Sequence, residues 1–355
     1  MDRRAFLAAG AAAAATGTAG CRSLFETRSA RSPPLVDDRP DAVYVPTHTE
    51  GMSMVGTAEA GDYRVALTYS FPHRFWTVDV DRANRVEIQG SDSVHLMGTV
   101  RDPETGTVVP SSSVEATVTR DGETVVDREL WPMLSQNMGV HAGDNVGLNG
   151  DGTYEVTCDV GPLSARTTGA FAGKFGERES ATFTLEFEES TLRDLPFERL
   201  TDREGNPGAV DPMDMEMLPV AQLPEPEGMP GTVLATGESG DARFVVARTD
   251  PPTGVESNGG SYLAVSARTP YNRYPLPFMA LSATLTRDGE SAFEGALQPT
   301  FDPELGYHYG AAADPRDGDD LRLVVDGVPQ LARHEGYETA FLAFEPMDLT
   351  LSSGP

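Results

Sequence analysis

Residues 114–123 read VEATVTRDGE and residues 281–290 read LSATLTRDGE. Each block places apolar side chains at every second position, Val114, Ala116 and Val118 in one and Leu281, Ala283 and Leu285 in the other. That period of two is the pattern of a half-buried strand. Each block then ends in Asp-Gly, a strong short-range signal for a two-residue hairpin turn. The blocks lie 167 positions apart. At the same offset, Pro132, Gly139, His141 and Gly143 recur as Pro299, Gly306, His308 and Gly310, and Pro162, Ala165 and Arg166 recur as Pro329, Ala332 and Arg333. Gly240-Asp241 and Arg243 further echo Gly61-Asp62 and Arg64. Three separated blocks sharing one offset without a gap identify a tandem duplication.

Other short alternating runs fall at Arg64–Tyr69, Arg85–Ile88, Tyr154–Val160 and Thr182–Phe187, with Asn149-Gly150 and Asp151-Gly152 as turn signals. After the first 21 residues, no stretch has a convincing helical period. The expected fold is all-β, with two tandem immunoglobulin-like antiparallel β-sandwich domains. Domain 1 is expected at residues 51–190 and a degenerate domain 2 at 231–355. A Pro- and Met-rich linker, 191–230, joins them. Its Met213, Met215 and Met217 read first as packing residues and second as Cu(I) ligands. Cys158 alternates with Tyr154, Val156 and Val160, and its counterpart is Val325, so the thiol is expected in the core.

Compartment and charge come from the ends of the composition. Arg3-Arg4, Phe6-Leu7 and an alanine-rich run precede Thr18-Ala19-Gly20-Cys21. This reads as a twin-arginine (Tat) export signal ending in a lipobox-like site, with Cys21 as the lipidated residue of an extracytoplasmic, cell-surface lipoprotein. Residues 22–50, rich in Arg, Ser, Pro and Asp, are expected to be a disordered tether, with His48 solvated. Once Cys21 is committed to lipid, Cys158 has no disulfide partner. The chain carries 55 acidic and 27 basic residues, a net charge of -28, and Lys174 is its one lysine. That balance excludes nucleic acid as a partner and fits a halophilic protein kept hydrated in strong salt.

The chemistry concentrates in two places. His95 and Met97 lie two apart on an extended run and project to one face. Met133, Met138 and His141 lie within Trp131–Asn145, WPMLSQNMGVHAGDN. Imidazoles and thioethers without a thiolate or carboxylate favour copper, Cu(I) in particular. The candidate metal ligands are therefore His95, Met97, Met133, Met138 and His141, with His73 as a weaker candidate. In the second copy Tyr262, Ala264, Thr300 and Leu305 stand where His95, Met97, Met133 and Met138 stand in the first. Nucleophile triads, phosphate loops and zinc-hydrolase spacings are absent from the sequence, so the chain is read as a binding protein and not an enzyme.

Residues 93–187 resemble the periplasmic iron-transport accessory proteins, copper-binding β-sandwich proteins of bacterial ferrous-iron uptake. The resemblance rests on His95-Leu96-Met97, Pro132-Met133 and the run Gly139–Asn145, followed by Gly150 and Tyr154. It implies copper ligands at His95, Met133 and His141, a role beside iron transport with iron as a second metal, and a membrane metal transporter as partner. It also implies a homodimer, which a tandem pair could replace as a monomeric pseudo-dimer. Two positions depart from the family: Met97 stands where the family has a carboxylate, and Thr167-Thr168 where it has a histidine. The second copy has His334-Glu335 at that place, so the pseudo-dimer would bring His334 or His308 to the first domain. The alternative to a lipid-anchored copper-binding protein is a metal-free surface interaction or scaffold protein of two β-sandwich domains.

Overall fold

The computed structural model describes residues 31–215, 217–256 and 260–353. The export signal and Cys21 lie outside the described residues. The described residues from Val36 onward form one compact unit. The first part carries β1 (His48–Glu50), β2 (Ser53–Ala60), β3 (Tyr63–Ser70), β4 (Phe75–Asp79), β5 (Arg82–Val86) and β6 (Val94–Arg101). Next come β7 (Val114–Arg120), β8 (Glu123–Ser135), β9 (Gly139–Val146), β10 (Gly152–Val160), β11 (Arg166–Thr167) and β12 (Glu179–Phe187). A short helix, Glu189–Arg193, and β13 (Phe197–Arg199) open the joint. The second part carries β14 (Thr232–Ser239), β15 (Ala242–Thr249), β16 (Tyr262–Arg268), β17 (Ala280–Arg287) and β18 (Glu290–Asp302). It closes with β19 (Gly306–Ala312), β20 (Asp320–Gly327), β21 (Ala332–Arg333) and β22 (Met347–Thr350).

The two halves share one topology. Strand order in the first is β12-β10-β7-β8-β9-β6-β3-β2, and in the second β22-β20-β17-β18-β19-β16-β15-β14. Neighbours are antiparallel. The long strands β8 and β18 each belong to two sheets: the first part of β8 pairs with β7, and Trp131–Ser135 pair with β9. One strand thus folds the ribbon into a sandwich. The expected hairpins are present, with φ of +53° and +81° at Asp121-Gly122 and +52° and +82° at Asp288-Gly289. These left-handed values are those of a type I′ turn, whose twist matches the flanking strands. Even the bulges recur, between Val118 and Thr119 and between Leu285 and Thr286.

Outer strands alternate as read from sequence: in β10, Tyr154, Val156, Cys158 and Val160 are buried and their neighbours are not. Central strands do not alternate. Every residue of β9 and β16, and all of β6 except Arg101, is buried. One face of each lies in a sandwich core, and the other is covered by the joint, by neighbouring turns and by the strand that crosses from the other half. The halves also exchange strands. β21 runs parallel to β8, Ala332 opposite Met133, while β11 runs parallel to β18, Arg166 opposite Thr300.

Two segments differ from expectation. Val43, Tyr44, Val45 and Thr47, placed in the tether by composition, are buried. The Tyr44 amide donates to the Gly336 carbonyl at 3.2 Å, and its hydroxyl donates to Glu338 Oε1 at 2.5 Å. The apolar triplet Val43–Val45 docks on domain 2, an anchor that local composition conceals. The joint is extended, as expected, but closely packed, with Leu200, Val210, Leu218 and Leu223 buried. Gln136 holds it, accepting from the Val210 amide at 2.9 Å and donating to the Tyr44 carbonyl at 2.7 Å.

Candidate metal centre

Four strands and one loop deliver the site. β6 and β9 are neighbours in register His95↔Asn145 and Met97↔Gly143, and β8 and β9 in register Met133↔His141. His95, Met133 and His141 therefore project from adjacent strands onto the outer face of domain 1. The loop between β3 and β4 adds His73. β21 brings in the chain from domain 2, where the His334 amide donates to the Leu134 carbonyl at 3.1 Å.

The rings converge. The ligating nitrogens of His73, His95 and His334 all lie within 4.8 Å of one another. Ring centroids are 4.0 Å apart for His73 and His95, 4.7 Å for His73 and His334, and 5.2 Å for His141 and His334. Gly143 makes the room: a Cβ there would stand 2.8 Å from His95 Nε2 and 3.2 Å from Met133 Sδ. Met133 packs with Phe75 and Ala332 as an apolar wall.

Hydrogen bonds fix which nitrogen faces inward. His95 Nδ1 meets Asn145 Oδ1 at 2.9 Å, His141 Nδ1 meets the Gly139 carbonyl at 3.1 Å, and His73 Nδ1 meets the Phe71 carbonyl at 3.0 Å. Asn145 is itself oriented, its Nδ2 donating to the His73 carbonyl at 2.8 Å. Each partner oxygen is an acceptor, so each Nδ1 carries the proton and each Nε2 offers a lone pair. The Nε2 atoms of His73, His95, His141 and His334 are all buried with no hydrogen-bond partner. An unsatisfied buried polar group costs ~1–3 kcal/mol. Four of them approach the ~5–15 kcal/mol that holds a whole domain together, so packing alone is a poor reason for the arrangement.

Burial also keeps these rings neutral. Desolvation pushes His73 down to about 3 and His141 down to about 4, and drives His95 and His334 well below the ordinary imidazole range. His48, expected to be solvated, is likewise pushed down to about 4 by burial. Carboxylates stand at the rim. Glu335 accepts from the Thr47 amide and from Arg74, both at 2.9 Å, and Glu50 Oε2 is 3.8 Å from His73 Nδ1.

Of the five ligands expected from sequence, the structure brings together His95, Met133 and His141. Met97 and Met138 lie instead in an adjoining apolar cluster with Ala66 and Leu218. His73 and His334 complete the group. His73 sits in Phe71–Trp76 with no repeat to mark it. His334 was legible only through the offset that aligns it with Thr167.

The second copy shows the same frame closed. The Arg166 guanidinium donates to the Tyr262 hydroxyl at 3.2 Å and to Thr300 Oγ1 at 3.0 Å, the counterparts of His95 and Met133. His308 Nε2 is satisfied by the Tyr262 hydroxyl at 3.2 Å. A built-in cation and hydroxyls occupy the place that domain 1 leaves to imidazoles.

Comparison with solved structures finds FetP of uropathogenic Escherichia coli, at 19% identity over 39% of this chain and 96% of that one, TM-score 0.30. A copper-bound variant of the same FetP matches at 17% identity over 38% and 97%, TM-score 0.28. A copper-bound variant of Campylobacter jejuni P19 matches at 14% identity over 38% and 96%, TM-score 0.28. No curated protein matches the chain. A family model described as a domain of unknown function, DUF7350, matches twice, at residues 49–184 and 227–350, and the chain belongs to that family.

Proposed function

We propose that this protein binds copper, with Cu(I) favoured, at a centre formed by His95, Met133, His141 and His334, with His73 as a further imidazole. The observation that carries the reading is a set of four neutral imidazoles whose buried Nε2 atoms have no partner: the ligating nitrogens of His73, His95 and His334 lie within 4.8 Å of one another, and the His141 ring, paired across the strands with Met133, is 5.2 Å from that of His334. Borderline nitrogen and soft sulfur donors suit copper better than calcium, magnesium or manganese, which prefer oxygen. Structural zinc sites draw on cysteine, histidine and carboxylate; a thioether is not among their usual ligands. Blue-copper electron transfer requires a cysteine ligand, and Cys158 is fully buried among core residues.

The role is capture and handover rather than catalysis. Export and a lipid on Cys21 would hold the protein at the extracytoplasmic face of the cell membrane, and the sequence resemblance favours service to a membrane metal transporter, with iron as the transported metal. The net charge of -28 favours work in strong salt. Metal-free scaffolding is the weaker reading, because it leaves the four orphaned nitrogens without a reason.

Copper titration of the chain from residue 22 in molar salt, reducing and then oxidising, tests the centre beside the His95→Ala/His141→Ala variant. The expected result is loss of the tightest copper equivalent in the variant. Equal affinity in both proteins would refute the reading.

A further inference from the structure

Six of the chain's 12 methionines are accounted for by one patch beside the histidine centre. Met97 and Met138 are buried there, and Met52, Met54, Met213 and Met215 pack against them partly exposed. They come from four places: β2 and the residue before it, β6, the β8–β9 turn, and the joint between domains. The Met213 amide donates to the Asn137 carbonyl at 2.8 Å, tying the joint to the turn that carries Met138.

Packing does not demand methionine here, and the duplication proves the point internally. Met54, Thr68 and Met97 form one cross-strand row on β2, β3 and β6. The same row on β14, β15 and β16 is Val233, Ala247 and Ala264. Leu305 stands at the position of Met138. The second domain's patch keeps one thioether, Met229, whose sulfur accepts from Arg268 at 3.2 Å, and otherwise fills the space with Val233, Val245, Ala247, Ala264, Leu305 and the Tyr262 ring. It is also the domain whose imidazole-and-thioether centre has been replaced by Tyr262, Thr300 and Arg166. Thioethers and imidazoles are thus gathered together beside the first domain and reduced together in the second, which keeps one of each, Met229 and His308.

We infer that the methionine patch is a second binding site, for a soft monovalent d¹⁰ cation such as Cu(I), held by thioethers of Met54, Met97, Met138, Met213 and Met215. Thioether sulfur is neutral and polarizable and selects Cu(I) over harder ions. The site is placed to exchange metal with the histidine centre. Met97 lies two residues from His95 on the same strand face and pairs in register with Gly143, the residue that opens that centre. The patch reaches solvent through Met52, Met54, Met213 and Met215, all partly exposed. The binding site stands without the histidine centre; its role as a feeder rests on the copper reading.

Silver(I) is a redox-inert stand-in for Cu(I). The experiment uses the chain from residue 22 with ¹³C-methyl methionine, in the His95→Ala/His141→Ala background, in chloride-free molar nitrate. One equivalent of Ag(I) is expected to shift the methyl resonances of the patch. Met54→Leu/Met97→Leu/Met213→Leu, volume-conserving changes that such a core tolerates, is expected to weaken Ag(I) binding at least tenfold while thermal melting stays cooperative. Patch resonances that ignore Ag(I), or undiminished binding by the leucine variant, would overturn the site. Failure of the histidine centre alone would appear as unchanged copper binding in the imidazole variant, a separate readout.

Discussion

At the scale of single residues, Gly143 matters for what it lacks. Its backbone does not need the left-handed region, so alanine is conformationally free to replace it. The added methyl would nevertheless stand 2.8 Å from His95 Nε2 and close to the Met133 sulfur. Gly143→Ala is therefore expected to retain the fold and lower copper affinity by at least tenfold, read by competition with a chromophoric chelator. Undiminished affinity would show that metal does not sit between His95 and Met133. The imidazoles also set a pH response. Burial holds His73 at about 3, and His141 and His308 at about 4, below the ordinary value of 6.5. The unfolded chain therefore takes up protons first as pH falls. This contribution to stability is complete above about pH 6.5 and is lost progressively towards about pH 3, the His73 value. Asp144, Asp241 and Glu338, raised by burial, act in the opposite sense nearer the carboxylate range. In molar salt, metal-free protein is expected to have a lower urea midpoint at pH 5 than at pH 7.5. Equal midpoints would contradict neutral burial of these rings.

At the scale of elements, the decisive piece is the two-residue strand β21. It is locked by Arg333, a buried guanidinium that donates to the Pro329 carbonyl at 3.1 Å and the Phe341 carbonyl at 3.2 Å, and also to that of Ala340. A charge so deeply buried persists only where its donors are met. Here the carbonyls of the segments before and after the strand meet them, and the result is a rigid arm that carries His334 across to domain 1. The reciprocal arm, β11, carries Thr167 at the equivalent place and contributes Arg166 to the closed site. His334→Ala is expected to cut copper affinity at least tenfold, whereas His308→Ala, in the closed half, leaves affinity within about twofold. Equal loss in both, measured by the same chelator competition, would mean that the effect is one of stability and not of ligation. Alternation in β7, β10 and β12 was legible because each has one wet face. Alternation fails in β6, β9 and β16 because tertiary packing covers both faces, which a local pattern cannot register.

At the scale of the whole molecule, the fold class and the duplication followed from sequence alone. Period-two patterning and Asp-Gly turns are local physics, and a constant offset of 167 residues is arithmetic on the chain. The donor chemistry was legible for the same reason, since His95, Met133 and His141 stand in a frame whose repeat shows what each domain can do without. What the sequence could not settle is which donors share one space. Met97 points to the same side of β6 as His95, yet its neighbours across the sheet and from the joint draw it into the methionine patch. His73 and His334 enter the centre from a loop and from the other domain, 261 residues apart from end to end. Such convergence depends on long-range pairing, here Ala332 against Met133 and Arg333 against Trp76. Side-chain periodicity determines strands and faces; only the docking of one domain's arm on the other's long strand determines the site.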